Sequence, residues 1–167
     1  MSIDFVAIDF ETANSFRGSP CSLAAVVVRD GTVVAEYDRL MRPPEAFGPD
    51  DFDEMNTSIH GITWEMVENE PEFIDTWNEL KIPELGIPLV AHYAAFDLGV
   101  IRDALTASDC SWPELRYTCS VVLARRVLSL PSYTLPYVTN AMGITLLDHH
   151  KALADARACA EILLRFC

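Results

Sequence analysis

The stretch VAIDFETAN, residues 6–14, decides how this chain folds. It begins with small and apolar side chains, which suit a buried strand, and it places Asp9 and Glu11 towards the end of that strand. Successive residues of a strand point to opposite faces, so the odd-numbered positions from 3 to 11 share one side. Because both sides are mostly apolar, the pattern predicts a central strand over 3–11 with two carboxylates on one face.

The segments that follow predict more strands and then alternating helices and strands. Residues 21–29 and 32–40 resemble two strands joined at Asp30-Gly31, a dipeptide typical of hairpin turns. A Pro-rich acidic loop over 42–54 comes next. We expect the later strands at 87–92 and 116–118, and helices at 63–69, 73–80, 95–107, from about 119 to 128, at 135–142 and at 152–166. This order indicates an α/β fold in which helices pack on a mixed sheet.

Length and composition restrict the class of protein. A chain of 167 residues, half of them hydrophobic, fits one domain, 1–167, with a single core. The longest apolar run, 23–28, is too short to span a bilayer, and the N-terminus does not resemble a signal peptide. We therefore expect a soluble, cytoplasmic protein without a membrane partner. Its five cysteines are odd in number and contain no CxxC, which argues against a disulfide framework and against a zinc site.

The net charge of −13 excludes a generally basic surface for nucleic acid. A polyanionic partner would therefore have to be held by bound cations and a local groove.

The two carboxylates of the first strand have two interpretations. Acidic residues are common where a strand leaves the core for solvent. Alternatively, Asp9 and Glu11 hold a divalent cation, because hard cations prefer oxygen ligands and tolerate clustered carboxylates. Without a cation, two close carboxylates raise each other's pKa.

Two later segments favour the cation. In LVAHYAAFDLGVI, 89–101, Asp97 lies where a buried strand gives way to a helix, a place where function gathers in α/β proteins, although an acid there also suits the helix dipole. In HHKALADARACAEILL, 149–164, His150 precedes the last helix and Asp155 falls near its first turn. A histidine on a loop, with a pKa near neutrality, is a natural general base.

In order and spacing, this set resembles the DEDDh branch of the 3′–5′ exonucleases, a ribonuclease H-like family. That family includes the proofreading epsilon subunit of bacterial DNA polymerase III, ribonuclease T and oligoribonuclease. The resemblance implies a ribonuclease H-like mixed sheet with helices on both faces. The segments that carry it are DFET at 9–12, NTSIHGIT at 56–63, AHYAAFD at 91–97, TCSVVLARR at 118–126 and HKALADA at 150–156.

The resemblance implies a set of catalytic residues. The four acidic positions of the family fall on Asp9, Glu11, Asp97 and Asp155, and its general base falls on His150. His149 lies six residues before Asp155 and does not fit the family spacing, although that alternative register stays open.

Two neighbouring positions qualify the match. The related branch has Tyr where this chain has Lys151, which favours the histidine branch. Tyr93 stands where many members have Asn, which concerns substrate contacts more than metal binding.

The resemblance also implies a mechanism with two divalent cations, Mg²⁺ or Mn²⁺. Asp9 would bridge both ions, Glu11 and Asp155 would hold the ion that activates water, and Asp97 would support the second. His150 would accept the proton of that water, and a nucleoside 5′-monophosphate would leave.

Substrate contacts are expected from Thr12, His60, Gly61 and Phe96. Each has another interpretation. Thr12 suits a strand end, and His60 is equally well explained as a loop residue before a helix capped by Thr63. The place of Phe96 on an apolar stripe favours core packing. Among the few cations, those nearest to the motifs in sequence are Arg17, Lys151 and Arg157.

We therefore expect a metal-dependent 3′–5′ exonuclease acting on single-stranded 3′ ends, with DNA favoured, in proofreading or repair. A DNA polymerase subunit is the expected protein partner. Alternatives are a 3′–5′ exoribonuclease, which the motifs do not distinguish, and a non-catalytic module that binds a polymerase. A generic nucleotide binder is disfavoured because no Gly-rich loop follows the first strand.

Overall fold

The structure is a computed structural model that describes residues 3–167. Its sheet contains the strands Phe5–Thr12 (β1), Pro20–Arg29 (β2), Thr32–Leu40 (β3), Leu89–Ala91 (β4) and Tyr117–Cys119 (β5). Its α-helices are Glu54–His60 (α1), Trp64–Val67 (α2), Phe73–Leu80 (α3), Ala94–Ala107 (α4), Ser120–Val127 (α5), Leu135–Ala141 (α6) and Ala152–Phe166 (α7). Short 3₁₀ turns cover Glu45–Phe47 and Ile82–Leu85.

The five strands form one mixed sheet in the order β3-β2-β1-β4-β5. Strands β1, β2 and β3 pair antiparallel, and the hairpin between β2 and β3 turns at Asp30 and Gly31, both of which have positive φ. Strands β4 and β5 continue the sheet in parallel beside β1. The predicted mixed sheet, with β1 at its centre, is confirmed.

Helices cover both faces of this sheet, because both faces of β1 are apolar. On one face, Val6, Ile8 and Phe10 pack in a core with Phe73 of α3 and Val100 of α4. On the other face, Phe5 and Ala7 pack against Ala156 and Cys159 of α7. Asp9 shares this second face by strand alternation, so the last helix covers the carboxylates of the first strand.

A cleft opens where β4 ends and β1 continues. The pairing of β1 with β4 runs only to Ala7 opposite Val90, whereas β1 itself extends to Thr12. The chain leaves β4 at Ala91 and enters α4 three residues later. The second half of β1 is therefore flanked by the first turns of α4 and α7.

One helix was not predicted from the sequence. Residues 54–60 form α1, for which the sequence predicted no helix. Met55 is 74 % exposed and Ile59 is 49 % exposed, and His60 is the one buried residue of this helix. A helix without an apolar stripe gives no periodic signal. Within residues 3–167, the helices all fall short of the length and apolarity that crossing a membrane requires.

Candidate active site

Three of the predicted carboxylates meet in the cleft. Asp9 and Glu11 extend from the same face of β1, and Asp155 lies in the first turn of α7, which packs on that face. Each of the three offers a ligand oxygen, and these oxygens lie within 4.8 Å of one another. The i, i+2 spacing on a strand and the position in a helix turn are therefore sufficient to bring these groups together.

The fourth carboxylate, Asp97, is fixed behind this cluster by the backbone of β1. It lies in the first turn of α4 and is only 2 % exposed. Its Oδ1 accepts a hydrogen bond of 3.1 Å from the backbone N–H of Phe10. The Asp97 carboxylate thus takes the place of a β4 partner at the point where β4 has ended.

The cluster is electrostatically strained in the absence of cations. Burial raises the pKa of Asp9 well above its ordinary value, and the charges of Asp97, Glu11 and Asp155 raise it further. Burial, with a smaller contribution from Asp155, raises the pKa of Glu11 to about 8, although nearby Lys151 lowers it. Burial also raises the pKa of Asp97 well above its usual value, against the hydrogen bond from Phe10.

These oxygens fit divalent cations. Hard ions take carboxylate ligands, and their positive charge favours the ionised form that burial and mutual repulsion otherwise disfavour. Asp9, Glu11 and Asp155 are placed to share an ion, and Asp97 is placed to support the site from behind.

The two histidines before α7 take different positions. Nδ1 of His149 lies 3.0 Å and 2.9 Å from the two carboxylate oxygens of Asp155. His150 contacts the same carboxylate through its backbone, donating its N–H to Oδ2 at 3.2 Å. The two rings stack with centroids 3.7 Å apart, and positive φ at Asp148 and His150 shapes the loop. Burial, followed by the charge of His149, lowers the pKa of His150.

His149 and His150 line two different cavities. The first, of about 200 Å³, is lined by Asp9, His92, Tyr93, Thr134, Leu135, His149 and Asp155. The second, of about 260 Å³, is lined by Ser22, Asp38, Leu40, His60, Ile62, Met66, His150, Lys151 and Ala152. The predicted base, His150, thus reaches Asp155 through its backbone, whereas the ring beside that carboxylate belongs to His149.

The predicted substrate residue Thr12 is held by two side chains of α1. His60 donates from Nε2 to the Thr12 carbonyl at 3.0 Å and accepts the Ile62 N–H at Nδ1, also at 3.0 Å. This pattern requires a neutral ring, in agreement with burial, which lowers the His60 pKa. Asn56 donates to the carbonyl and to the hydroxyl oxygen of Thr12 at 2.9 Å and 3.2 Å.

The alternative interpretation of His60 as a loop residue was wrong. His60 is the last residue of α1 and is 3 % exposed. Thr63 precedes α2, but its side chain makes no capping hydrogen bond.

Gly61 and Phe96 lie at the border of the site. Gly61 ends α1 with φ of 76°, and Lys151 Nζ lies 3.8 Å from the position that a Cβ would occupy. Phe96 is 40 % exposed, so the interpretation of this ring as a core residue was wrong and its face is accessible to a ligand. Tyr93, in the left-handed region with φ of 66°, lines the first cavity.

Two residues of the site were missed as such. Asn56 lies in the segment NTSIHGIT, but its role depends on α1, which the sequence did not reveal. His92 directly follows β4, and its ring nitrogens lie 2.8 Å from Ser120 Oγ and 2.9 Å from the Tyr133 carbonyl. It therefore ties the sheet to the loop that lines the first cavity.

The basic residues nearest to the motifs in sequence lie in different places in the structure. Lys151 stays at the site, with Nζ 3.4 Å from the His60 carbonyl. Arg157 instead binds Glu36 of β3 through two hydrogen bonds of 2.8 Å and 2.6 Å.

Comparison with known proteins identifies a family and several relatives. Residues 6–163 match the sequence model of a family described as Exonuclease. A DNA polymerase III of the PolC type from Thermotoga petrophila is 34 % identical over 166 residues, which are 97 % of this chain and 12 % of that protein. The chain thus spans about an eighth of the length of this relative.

Two solved structures share the fold. Exonuclease X in complex with 5′ overhanging duplex DNA is 27 % identical with a TM-score of 0.76, covering 97 % of this chain and 90 % of that one. The nuclease domain of 3′hExo, a DEDDh family member bound to rAMP, is 17 % identical with a TM-score of 0.81 over the same shares. The predicted ribonuclease H-like fold is confirmed.

Proposed function

The chain belongs to the exonuclease family, and from that premise we propose that it is a metal-dependent 3′–5′ exonuclease. It removes nucleoside 5′-monophosphates from single-stranded 3′ ends, with DNA favoured. The observation that carries this proposal is the carboxylate cluster, in which oxygens of Asp9, Glu11 and Asp155 lie within 4.8 Å, with Asp97 buried beside them. A buried cluster of like charges has little structural value, because it opposes folding unless cations neutralise it.

The carboxylates hold the metal and fix its surroundings. Asp9 and Glu11 are placed by the pleat of β1, and Asp97 is oriented by the Phe10 N–H. Two divalent cations, Mg²⁺ or Mn²⁺, supply when bound the positive charge that stabilises the scissile phosphate and lowers the pKa of water. Cations held here also offset the net charge of −13 where a phosphate must approach.

His150 acts as the general base that accepts a proton from water. Its spacing from Asp155 matches the family, and its backbone N–H already contacts the Asp155 carboxylate. His149 is the second candidate, because its ring lies beside Asp155 in the first cavity. General base catalysis by either ring contributes about a hundred- to ten-thousand-fold in rate.

The terminal nucleotide is held by the residues around Thr12. Asn56 and His60 fix the Thr12 backbone and hydroxyl, Gly61 permits close approach beside Lys151, and Phe96 offers an exposed ring. The named relative is a DNA polymerase, which supports a proofreading or repair role in association with a polymerase subunit.

The test uses single-stranded DNA and RNA of one sequence, each labelled at the 5′ end, with Mg²⁺, Mn²⁺ or EDTA. We expect a ladder that shortens from the 3′ end with metal and is absent with EDTA or with Asp155→Ala. Asp75→Ala is the matched control, since Asp75 is an exposed acid in the first turn of α3 and lies outside the cluster. It should degrade DNA like the wild type.

The other functions give different results in the same experiment. Faster degradation of RNA than of DNA would assign an exoribonuclease. No ladder on either polymer, with Mn²⁺ binding detected by calorimetry, would contradict the proposal and favour a module that binds a polymerase.

A further inference from the structure

A groove separate from the two cavities of the site lies along the outer face of α4, away from the carboxylates. It encloses about 540 Å³ and is lined by Arg17, Leu98, Gly99, Arg102, Trp112 and Tyr117. Trp112 is 44 % exposed and Tyr117 is 59 % exposed. Two large aromatic rings beside two guanidinium groups form a surface that burial in the protein core does not explain.

Both arginines of the groove pair with the same acidic residue. Asp103 lies 3.6 Å from Arg17 Nη2 and 2.8 Å from Arg102 Nη2, so two guanidinium groups share one carboxylate. Among the ion pairs of residues 3–167, this is the only place where two cations share an acid. In a chain with net charge −13, this groove keeps a local excess of positive charge.

Gly99 makes room for one of these arginines. The guanidinium of Arg17 lies over the helix at this position, and a Cβ on Gly99 would come within 2.8 Å of its Nη1. The glycine therefore allows the charged group to rest on the helix backbone at the side of the groove.

The groove is connected to the candidate active site by two segments. Helix α4 carries both Asp97 and Arg102, which are about 7.5 Å apart along the helix axis at 1.5 Å per residue. Arg17 lies in the loop that follows Thr12 at the end of β1. Ala95, in the first turn of α4, also lines the groove and is next in sequence to the exposed Phe96.

We propose that this groove binds the single-stranded nucleic acid just upstream of the 3′-terminal nucleotide. Phosphates contact Arg17 and Arg102, and a base stacks on Trp112, with Tyr117 beside it. Guanidinium groups with aromatic platforms are the usual means of holding single strands without sequence preference. The inference rests on the proposed function, because it assigns the path of that enzyme's substrate.

Binding measured without metal tests the groove separately from catalysis. Anisotropy in EDTA with labelled single-stranded DNA of about ten nucleotides, within the usual site size, gives the affinity. We expect Trp112→Ala to weaken binding about tenfold with the same salt dependence, because the loss is stacking. Arg102→Ala should weaken binding and reduce the slope of log K against log salt by about 0.7, the value for one phosphate contact on a single strand.

Two further variants control for fold damage. Arg39 lies on β3, at the opposite edge of the sheet, and is an exposed arginine that pairs with Glu79. Arg39→Ala should therefore bind single-stranded DNA like the wild type. Asp103→Asn releases both guanidinium groups from their shared acid and should tighten binding. A gain of affinity is not a result that a damaged fold produces.

Kinetics separate this inference from the proposed function. With Mn²⁺, Trp112→Ala and Arg102→Ala should hydrolyse a dinucleotide like the wild type and the longer strand less efficiently. Equal binding and equal cleavage of the long strand by all variants would overturn the groove and leave the exonuclease standing. The Trp, Tyr and Arg side chains of the groove are also typical of protein interfaces, so that result would favour a protein partner for the groove. Loss of all hydrolysis in the wild type would contradict the exonuclease, while the EDTA binding data would still decide the groove.

Discussion

The carboxylate cluster and the histidine loop form two halves of one site, but the fold determines them in different ways. Asp9 is placed by the alternation of β1, Asp97 by a hydrogen bond to the same strand, and Asp155 by the first turn of a packed helix. His149 and His150 lie on a short loop with positive φ at two positions, and the two residues line different cavities.

This difference shows which parts of an active site regular structure can specify. Strand pleat and helix turn leave a side chain one direction, so a ligand position follows from the sequence number. A loop has no such period, and a change in two backbone angles exchanges neighbouring side chains. The proposed metal ligands thus lie on strands and helices, whereas the proposed base lies on a loop.

The strongest test of the carboxylate cluster replaces one of its acids with the amide of the same shape. Asp9→Asn should lower the rate by at least about 10⁴-fold, because it weakens every cation in the cluster. Without metal, the folded protein should remain at least as stable as the wild type, since the amide imitates the protonated carboxyl group that the buried site favours. Single-turnover degradation and urea unfolding measure the two effects. A clear loss of stability would show that Asp9 has a structural role.

The second test compares the two histidines of the loop. We expect His150→Ala to reduce the single-turnover rate by about a hundred- to ten-thousand-fold, as the loss of a general base typically does. His149→Ala should cost less than about tenfold, because it removes only a neighbour of Asp155. The reverse order would assign the base to His149 and make its position in the structure the catalytic one.

A third test concerns the stability of the cluster without metal. The pKa of Glu11 is raised from 4.5 to about 8, so the folded protein holds a proton that the unfolded chain releases across this window. Stability therefore falls as pH rises from about 4.5 to 8. Glu11→Gln imitates the protonated group and should be more stable than the wild type at pH 8, by on the order of 2 kcal/mol.

Urea unfolding in EDTA measures this effect at both ends of the window. Well below pH 4.5 the two proteins should differ least in their free energy of unfolding, because Glu11 is then protonated in both the folded and the unfolded state. A variant that is less stable than the wild type at pH 8 would show that the Glu11 charge is compensated in the metal-free fold.

The smallest expected effect separates backbone strain from substrate contact. Gly61→Ala places a side chain at φ of 76° and should lower the free energy of unfolding by about 1–2 kcal/mol. Gly86 precedes β4 and has φ of 65°, and a Cβ there would meet nothing within 4 Å. Gly86→Ala is therefore the matched control. Both should lose similar stability, but only Gly61→Ala should raise KM. Equal KM values would remove Gly61 from the substrate site.

The sequence predicted most of the fold because its elements are periodic. The alternation of β1, the Asp-Gly turn and the apolar stripes of the later helices all follow from side-chain spacing. Helix α1 escaped because Met55 and Ile59 face solvent. Without that helix, the contacts of Asn56 and His60 with Thr12 were also out of reach, since they depend on a segment distant in sequence.

In the candidate site, the sequence predicted four acids that the structure brings to one cleft, but it did not predict which histidine ring lies beside them. The spacing indicates His150, and the structure puts the ring of His149 against Asp155, so the assignment stays a prediction. Exposure of the Phe96 ring was missed for another reason. A stripe on a helix near a cleft does not reveal which of its positions the core leaves uncovered.

The protonated carboxylates have a further consequence for the metal itself. Since Glu11 has a pKa of about 8 in the empty site, and Asp9 and Asp97 are raised as well, each cation that enters near neutral pH must displace protons. Loading is thus an exchange, and calorimetry in buffers with different heats of ionisation would count the protons released. On the acidic side of the pH–rate profile, the rate would therefore report the competition between protons and metal for the carboxylates before it reports the ionisation of any histidine.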